Sequence, residues 1–297
     1  MRLSLPAPVR RGAIITLIVL AFLALVGATY TGVNTALERR RLPYPGRLVD
    51  VGGHQLHIHC LGKGSPVVVL EAPATGMSSA WGWVQRDLAS TTRVCSYDRA
   101  GLGWSEAGDG RYDPQRVPDD LHTLLGNAHE RGPYIVAGQG LGAAFTRLFA
   151  SRYRADTAAL VLIDADTPAD DGETRTLTRM IRMAPWVARL GLSRATDWLS
   201  KNATGLPGDD SRRMRAFLNR PDHLARSAQE LARWKAAVEL AATAPIDPAL
   251  PIDNLNAEGR GRLGYLTTAA AGAHVADAIA KRVALMRSAA DARHAVR

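Results

Sequence analysis

The sequence predicts an α/β fold: a mostly parallel sheet flanked by helices, with a helical insertion before the last part of the sheet. Three observations carry this. Strand-like and helix-like runs alternate from residue 66 to residue 163, the strand signal vanishes from 166 to about 245, and a weak strand returns after 250. An alternating series of this kind implies parallel strands with helices on both faces.

The elements follow in order. Ala13 to Tyr30 is an uncharged apolar run of about 18 residues, long enough to cross roughly 30 Å of hydrocarbon as a helix. Arg2, Arg10 and Arg11 precede it, as in a signal-anchor. A cleavable signal peptide competes, because the run could end in the small residues Val26-Gly27-Ala28. Arg39, Arg40 and Arg41 nearly cancel the positive-inside bias, and the orientation expected is N-terminus inside with the domain outside. Residues 1–45 are read as membrane segment and linker, closed by Pro43-Tyr44-Pro45-Gly46.

Residues 46–165 form the first part of the core. Arg47–Val51 and Gln55–Cys60, joined at Gly52-Gly53, read as a hairpin. Pro66–Leu70 is a buried strand, Ser79–Ser90 a helix with Trp81, Val84 and Leu88 on one face, and Arg93–Tyr97 a strand. A helix at Pro118–Glu130, a strand at Tyr134–Ala137, a helix at Gly142–Tyr153 and a strand at Ala159–Ile163 continue the alternation. In the insertion, 166–245, Leu177, Met180, Ile181 and Ala184, then Leu231, Trp234 and Val238, recur at helical spacing. The remainder, 246–297, offers a poor strand at Leu250–Leu255, weakened by Asp253 and Asn254, a further strand at Leu263–Ala269, and a closing helix at Val275–Ala289.

The formal charge of +9 comes almost wholly from arginine, since Lys63, Lys201, Lys235 and Lys281 are the only lysines. Arg212, Arg213, Arg215, Arg220 and Arg226 cluster, but acids are interleaved and no aromatic series accompanies them. A solvated helix face is expected there, and no nucleic-acid partner. Cys60 and Cys95 are too few for a disulfide scaffold or a metal cluster. His54, His57 and His59 alternate without an acid or cysteine to complete a site, so they read as structural and no metal is expected. Gly101-Leu102-Gly103 lacks the third glycine of a dinucleotide fingerprint, and no cofactor is expected.

The stretch from Arg93 to Ser105 contains Tyr97-Asp98-Arg99-Ala100-Gly101-Leu102-Gly103-Trp104-Ser105. It resembles the Y-D-R-x-G-x-G-x-S segment of the α/β-hydrolase family. Gly53-His54-Gln55-Leu56-His57, Val67–Ala72, the elbow-like Gly138-Gln139-Gly140-Leu141-Gly142 and Leu160–Asp164 follow the same family in order. The resemblance covers residues 46–165 closely and 246–290 loosely. It implies an α/β-hydrolase sheet with a helical cap, in a group of membrane-anchored or exported bacterial hydrolases. In that family's strand order Cys60 and Cys95 fall on neighbouring strands, which implies either a disulfide or two buried thiols, the bond requiring an oxidising compartment.

The family's elbow reads G-x-S-x-G, because a strained strand-to-helix turn needs small flanking residues and lifts the serine oxygen above the sheet. Here Gly138 and Gly142 stand at the correct spacing, and the serine position is Gly140. Glycine offers no nucleophile. His274 matches the family's general base, and Asp164, Asp253 or Glu258 its acid partner. Ala74 and Leu141 match the residues whose amides form the oxyanion hole. Pro73 stands where related chains have glycine, fixing φ near −65° in that loop. Three readings stay open: a silent hydrolase homologue that binds a small apolar or ester-like ligand, a serine-free enzyme using His274 and an acid as a proton-abstracting dyad, and a membrane-tethered partner-binding module.

Overall fold

The computed structural model describes residues 7–165, 172–256 and 266–295. Seven strands form one sheet: β1 (Arg47–Asp50), β2 (Gln55–Leu61), β3 (Val68–Glu71), β4 (Val94–Tyr97), β5 (Tyr134–Gln139), β6 (Thr157–Ile163) and β7 (Ile252–Leu255). Their order is β1-β2-β4-β3-β5-β6-β7. β2 is antiparallel to both β1 and β4, and the other pairings are parallel. The α/β expectation therefore holds. The β1–β2 turn is possible because Gly52 and Gly53 take φ of +97° and +91°, a region that costs glycine little.

Both faces of the sheet are covered, as the unbroken apolar runs of β3, β5 and β6 require. On one face lie α2 (Gly82–Leu88) and α10 (Ala269–Ala295), where Val84 and Leu88 meet a sheet-side cluster with Val275, Ile279 and Val283. On the other lie α3 (Val117–Asn127) and α4 (Leu141–Arg152), which bury Leu121, Leu124, Leu125 and Phe149. Each such side chain contributes roughly 1.5–3 kcal/mol of burial free energy. Between β6 and β7 run α5 (Gly172–Arg189), α6 (Leu192–Thr196), α7 (Asp209–Phe217), α8 (Pro221–Ala232) and α9 (Trp234–Thr243). Their apolar faces join Ala74, Met77, Leu141 and Phe145 in a third cluster over the carboxyl ends of the strands.

Cys60 pairs with Cys95 in the β2–β4 register, with Cα atoms 4.0 Å apart, and the two sulfurs are bonded. Of the two expectations for these cysteines, the structure has the disulfide.

Several boundaries differ from expectation. The N-terminal helix α1 runs Ala7–Arg41 and absorbs the arginine run, leaving only 42–46 as linker. Its later turns are held by tertiary contacts: Thr31 Oγ1 donates to Ala188 O at 2.8 Å, and Arg194 forms an ion pair with Glu38. Pro8–Arg41 is long and apolar enough to cross a membrane. The closing helix starts at Ala269 instead of Val275, because Thr268 Oγ1 accepts Ala271 N and alanines, the best helix formers, fill the first turn. Of the strand expected at 263–269, residues 263–265 lie outside the described residues, while 266–268 are not strand and 269 is already helix. The arginine cluster is not a uniformly solvated face: Arg212 is exposed, whereas Arg220 and Arg226 are buried.

Candidate functional site

The β5–α4 turn is built by close backbone approach. A Cβ on Gly138 would sit 2.5 Å from Gly142 O, and one on Gly142 would sit 2.6 Å from both Ala72 O and Glu71 O. No side chain fits at either position without moving backbone, which is the physical content of the two-glycine spacing. Gly140 differs. It has φ +55° and ψ −115°, its amide donates to Ile163 O at 2.8 Å, and a Cβ built on it meets nothing within 4 Å. The turn thus presents a site with room for a side chain and no side chain in it.

Around this turn the structure gathers some expected residues and not others. Asp164, with φ +51°, follows β6, and Gln139 Nε2 donates to its Oδ2 at 3.1 Å, so Gly140, Gln139 and Asp164 are neighbours at the strand ends. The amides of Ala74 and Leu141 belong to segments that adjoin across the same point, since Gly142 packs on Ala72. His274 is elsewhere in kind: it lies in the second turn of α10, exposed, and among the described residues no hydrogen bond or ion pair joins it to an acid. Asp253 sits within β7 opposite Val161 and is bound by Arg282, whose Nε donates at 2.7 Å. Glu258 lies outside the described residues.

The strongest electrostatic feature beside the turn was not singled out from the sequence. Arg99, buried at the end of the β4 segment, donates from Nε and Nη2 to the two carboxylate oxygens of Glu230 on α8, at 2.7 and 2.8 Å. Its Nη1 donates to Glu71 Oε1 and to Ala72 O, both at 2.6 Å, and its Nη2 to Pro73 O at 3.1 Å. Tyr97 hydroxyl donates to the other Glu71 oxygen. One guanidinium therefore ties the loop after β3 to an inserted helix. Burial opposes the Arg99 charge, but Glu230 and then Glu71 outweigh it and hold its pKa far above the ordinary value. Burial pushes the Glu71 carboxyl up, and Arg99 offsets only part of that.

A second tie runs through His223 of α8. Its Nδ1 accepts from Gly103 N at 3.1 Å and its Nε2 lies 3.1 Å from Thr75 O, an arrangement that fixes the neutral tautomer with the proton on Nε2. Burial lowers its pKa below 6.5, in the same direction. His57, read as structural, is buried with its Nδ1 3.0 Å from Asp98 Oδ2, while Asp98 also accepts from Ser78 N and Trp104 N. Ser78 Oγ lies 3.4 Å from the same Nδ1, and Nε2 faces Pro45 O. A hydrolytic triad needs the two ring nitrogens divided between acid and nucleophile, so this trio is a brace of the Gly101–Ser105 loop. The signal available in the sequence was Asp98-Arg99 itself: two charges directly after a buried strand need partners.

A small cavity of about 30 Å³, room for about one or two waters, lies between α8 and the loop at 107–116, lined by Leu56, Tyr97, Arg99, Tyr112, Asp120 and Arg226 among others. Gly140 does not line it.

Comparisons with known proteins agree with this architecture. The chain is 32% identical over 111 residues to an uncharacterized protein of Schizosaccharomyces pombe, covering 36% of this chain and 20% of that one. It is 29% identical over 123 residues to the 2-hydroxy-6-oxo-2,4-heptadienoate hydrolase of Pseudomonas putida, covering 40% and 44%. It thus spans less than half the length of either relative. The solved structure of a thermophilic esterase from Thermogutta terrifontis superposes with a TM-score of 0.55 at 19% identity, over 78% of this chain and 94% of that one, a likeness of fold. The family model described as Alpha/beta hydrolase family matches residues 56–296, which takes in the sheet from β2 onward and every inserted helix. By that match the chain belongs to the alpha/beta hydrolase family.

Proposed function

We propose that this chain is a membrane-tethered α/β-hydrolase homologue that binds a small apolar or ester-like molecule and does not cleave it. The observation that carries this reading is Gly140: the strand-to-helix turn is formed, flanked by its two glycines, and bears no nucleophile. Acyl transfer at this turn has no attacking atom. His274 is exposed on α10 and joined to no acid among the described residues, which supports the same reading and weighs against a proton-abstracting dyad. The inserted helices act as a cap pinned by Arg99–Glu230 and His223. α1 is the uncleaved anchor, with the folded domain outside the cytoplasm, where the Cys60–Cys95 bond is stable.

The test is turnover of p-nitrophenyl acetate and butyrate by the purified full chain in detergent micelles. The expected rate equals that of buffer. A measurable rate that disappears in His274→Ala overturns the reading.

A further inference from the structure

We infer that the first inserted helix, α5, and the start of α6 lie in the surface of a lipid bilayer, beside the point where α1 leaves it. The inference rests on the anchor reading of α1. Ala24, Gly27, Thr31, Thr35 and Glu38 share one face of α1, and that face alone is shielded in its later half. It is shielded by the inserted helices. A Cβ on Gly27 would collide with the backbone of Leu190, Gly191 packs on Tyr30, Thr31 bonds Ala188 O, and Arg194 pairs with Glu38, its Nη2 at 2.9 Å.

These contacts set a depth. Gly27 lies three residues inside the apolar run that ends at Tyr30, which at about 1.5 Å per residue is roughly 4–5 Å below the end of the run. Leu190, at the end of α5, is held against it. The end of α5 therefore stands at the level of the headgroup and acyl boundary.

The surface α5 turns outward suits that level. Ile181, Ala184 and Ala188 face the protein core. On another face Met180, Met183, Trp186 and Leu190 recur at three- and four-residue spacing and are exposed, Met183 by 59% and Trp186 by 64%, and Leu192 of α6 extends the patch at 51%. Arg182 and Arg189 are exposed along one flank of that stripe, Arg175 and Arg179 are exposed in line with it toward its N-terminal end, and the Arg189 guanidinium lies 5.0 Å from the Trp186 ring centre. An apolar stripe bordered by arginines is the pattern of helices that lie in an interface, with the apolar face about 5–10 Å deep and the cations among the phosphates. A partner protein is the other occupant for such a face, but the continuity with the lipid-facing side of α1 favours the bilayer.

The experiment uses the full chain in vesicles of phosphatidylcholine and phosphatidylglycerol, with single cysteines carrying an environment-sensitive fluorophore. Met183→Cys reports on α5, Leu20→Cys on α1, and Ser90→Cys, at the opposite end of the strands, serves as the aqueous control. Nitroxides on the acyl chains should quench the labels at 20 and 183 at least about threefold more than the label at 90, as groups several ångströms below the headgroups require. Quenching at 20 without quenching at 183 overturns the inference and leaves the anchor standing. Loss at both overturns the anchor as well. Shielding of 183 from aqueous iodide without lipid quenching places a protein on this face and also overturns the inference.

Discussion

Replacing Arg99 by methionine is the sharpest test of what holds the inserted helices on the core. The substitution keeps an unbranched side chain of similar length and removes the cation between Glu71 and Glu230, both buried. Removing one partner of a buried ion pair costs about 3–5 kcal/mol. Here two carboxylates lose their cation and two backbone carbonyls, Ala72 O and Pro73 O, lose a donor, so the upper end applies. For a domain of this size about 5 kcal/mol corresponds to a fall in Tm of roughly 10–20 °C. The two single neutralisations should rank differently. Glu230→Gln sacrifices one of two charge-assisted bonds to Arg99, about 2 kcal/mol. Glu71→Gln keeps an acceptor for Arg99 and removes a charge that burial already disfavours, so about 1 kcal/mol or less is expected. The assay is thermal unfolding of the full chain in micelles by near-ultraviolet circular dichroism, with Trp81 and Trp234 as buried reporters. A cost below about 1.5 kcal/mol for Arg99→Met, or a larger loss for Glu71→Gln than for Glu230→Gln, refutes the reasoning.

Other outcomes follow from the same geometry. Gly138→Ala and Gly142→Ala should each cost about 1–3 kcal/mol or more because backbone must shift, measured in the same melts. Gly140→Ser should yield a folded protein with no gain in ester hydrolysis, since among the described residues no acid is bonded to His274; turnover above buffer would show a working base after all. Reducing the Cys60–Cys95 bond, which closes a 35-residue separation, should lower stability by about 3–4 kcal/mol on the loop-entropy account, and Cys95→Ala should abolish the response to reductant. The His57–Asp98 pair predicts a plateau in Tm against pH. Burial works against both charges, but each outweighs it for the other, so the His57 pKa is raised from 6.5 and that of Asp98 lowered from 3.8. The His57 contribution is complete below 6.5 and fades as pH rises through its raised value; that of Asp98 is complete above 3.8 and fades as pH falls through its lowered value. His57→Gln should remove the alkaline decline, and a variant that keeps it would locate the effect elsewhere.

The fold was legible because its signals are local. The alternation through Ile163, the hairpin glycines and the spacing of Gly138, Gly140 and Gly142 each depend on residues close in sequence, and the strands they forecast are present. What stayed hidden depends on distance. Glu230 lies 131 positions from Arg99, and no periodicity connects them. The length of α1 was concealed for a similar reason, because Glu38 gains its partner Arg194 only in the folded state. The start of α10 turns on a single cap at Thr268 and on the alanines of its first turn. His274, which the sequence places just before the closing helix, therefore lies within it.

The conformation at residue 140 has an evolutionary corollary. An L side chain held at positive φ stores of order 1–3 kcal/mol of strain, which an enzyme tolerates while the atom it displays is useful. Gly140 adopts φ +55° without that strain. Once selection for turnover lapses, exchange to glycine at this position relaxes the fold, and return to serine runs uphill in stability. Serine codons of the AGY type reach glycine by one base change, so on the proposed reading the loss of a serine here is directional: easy to enter and resisted on the way back.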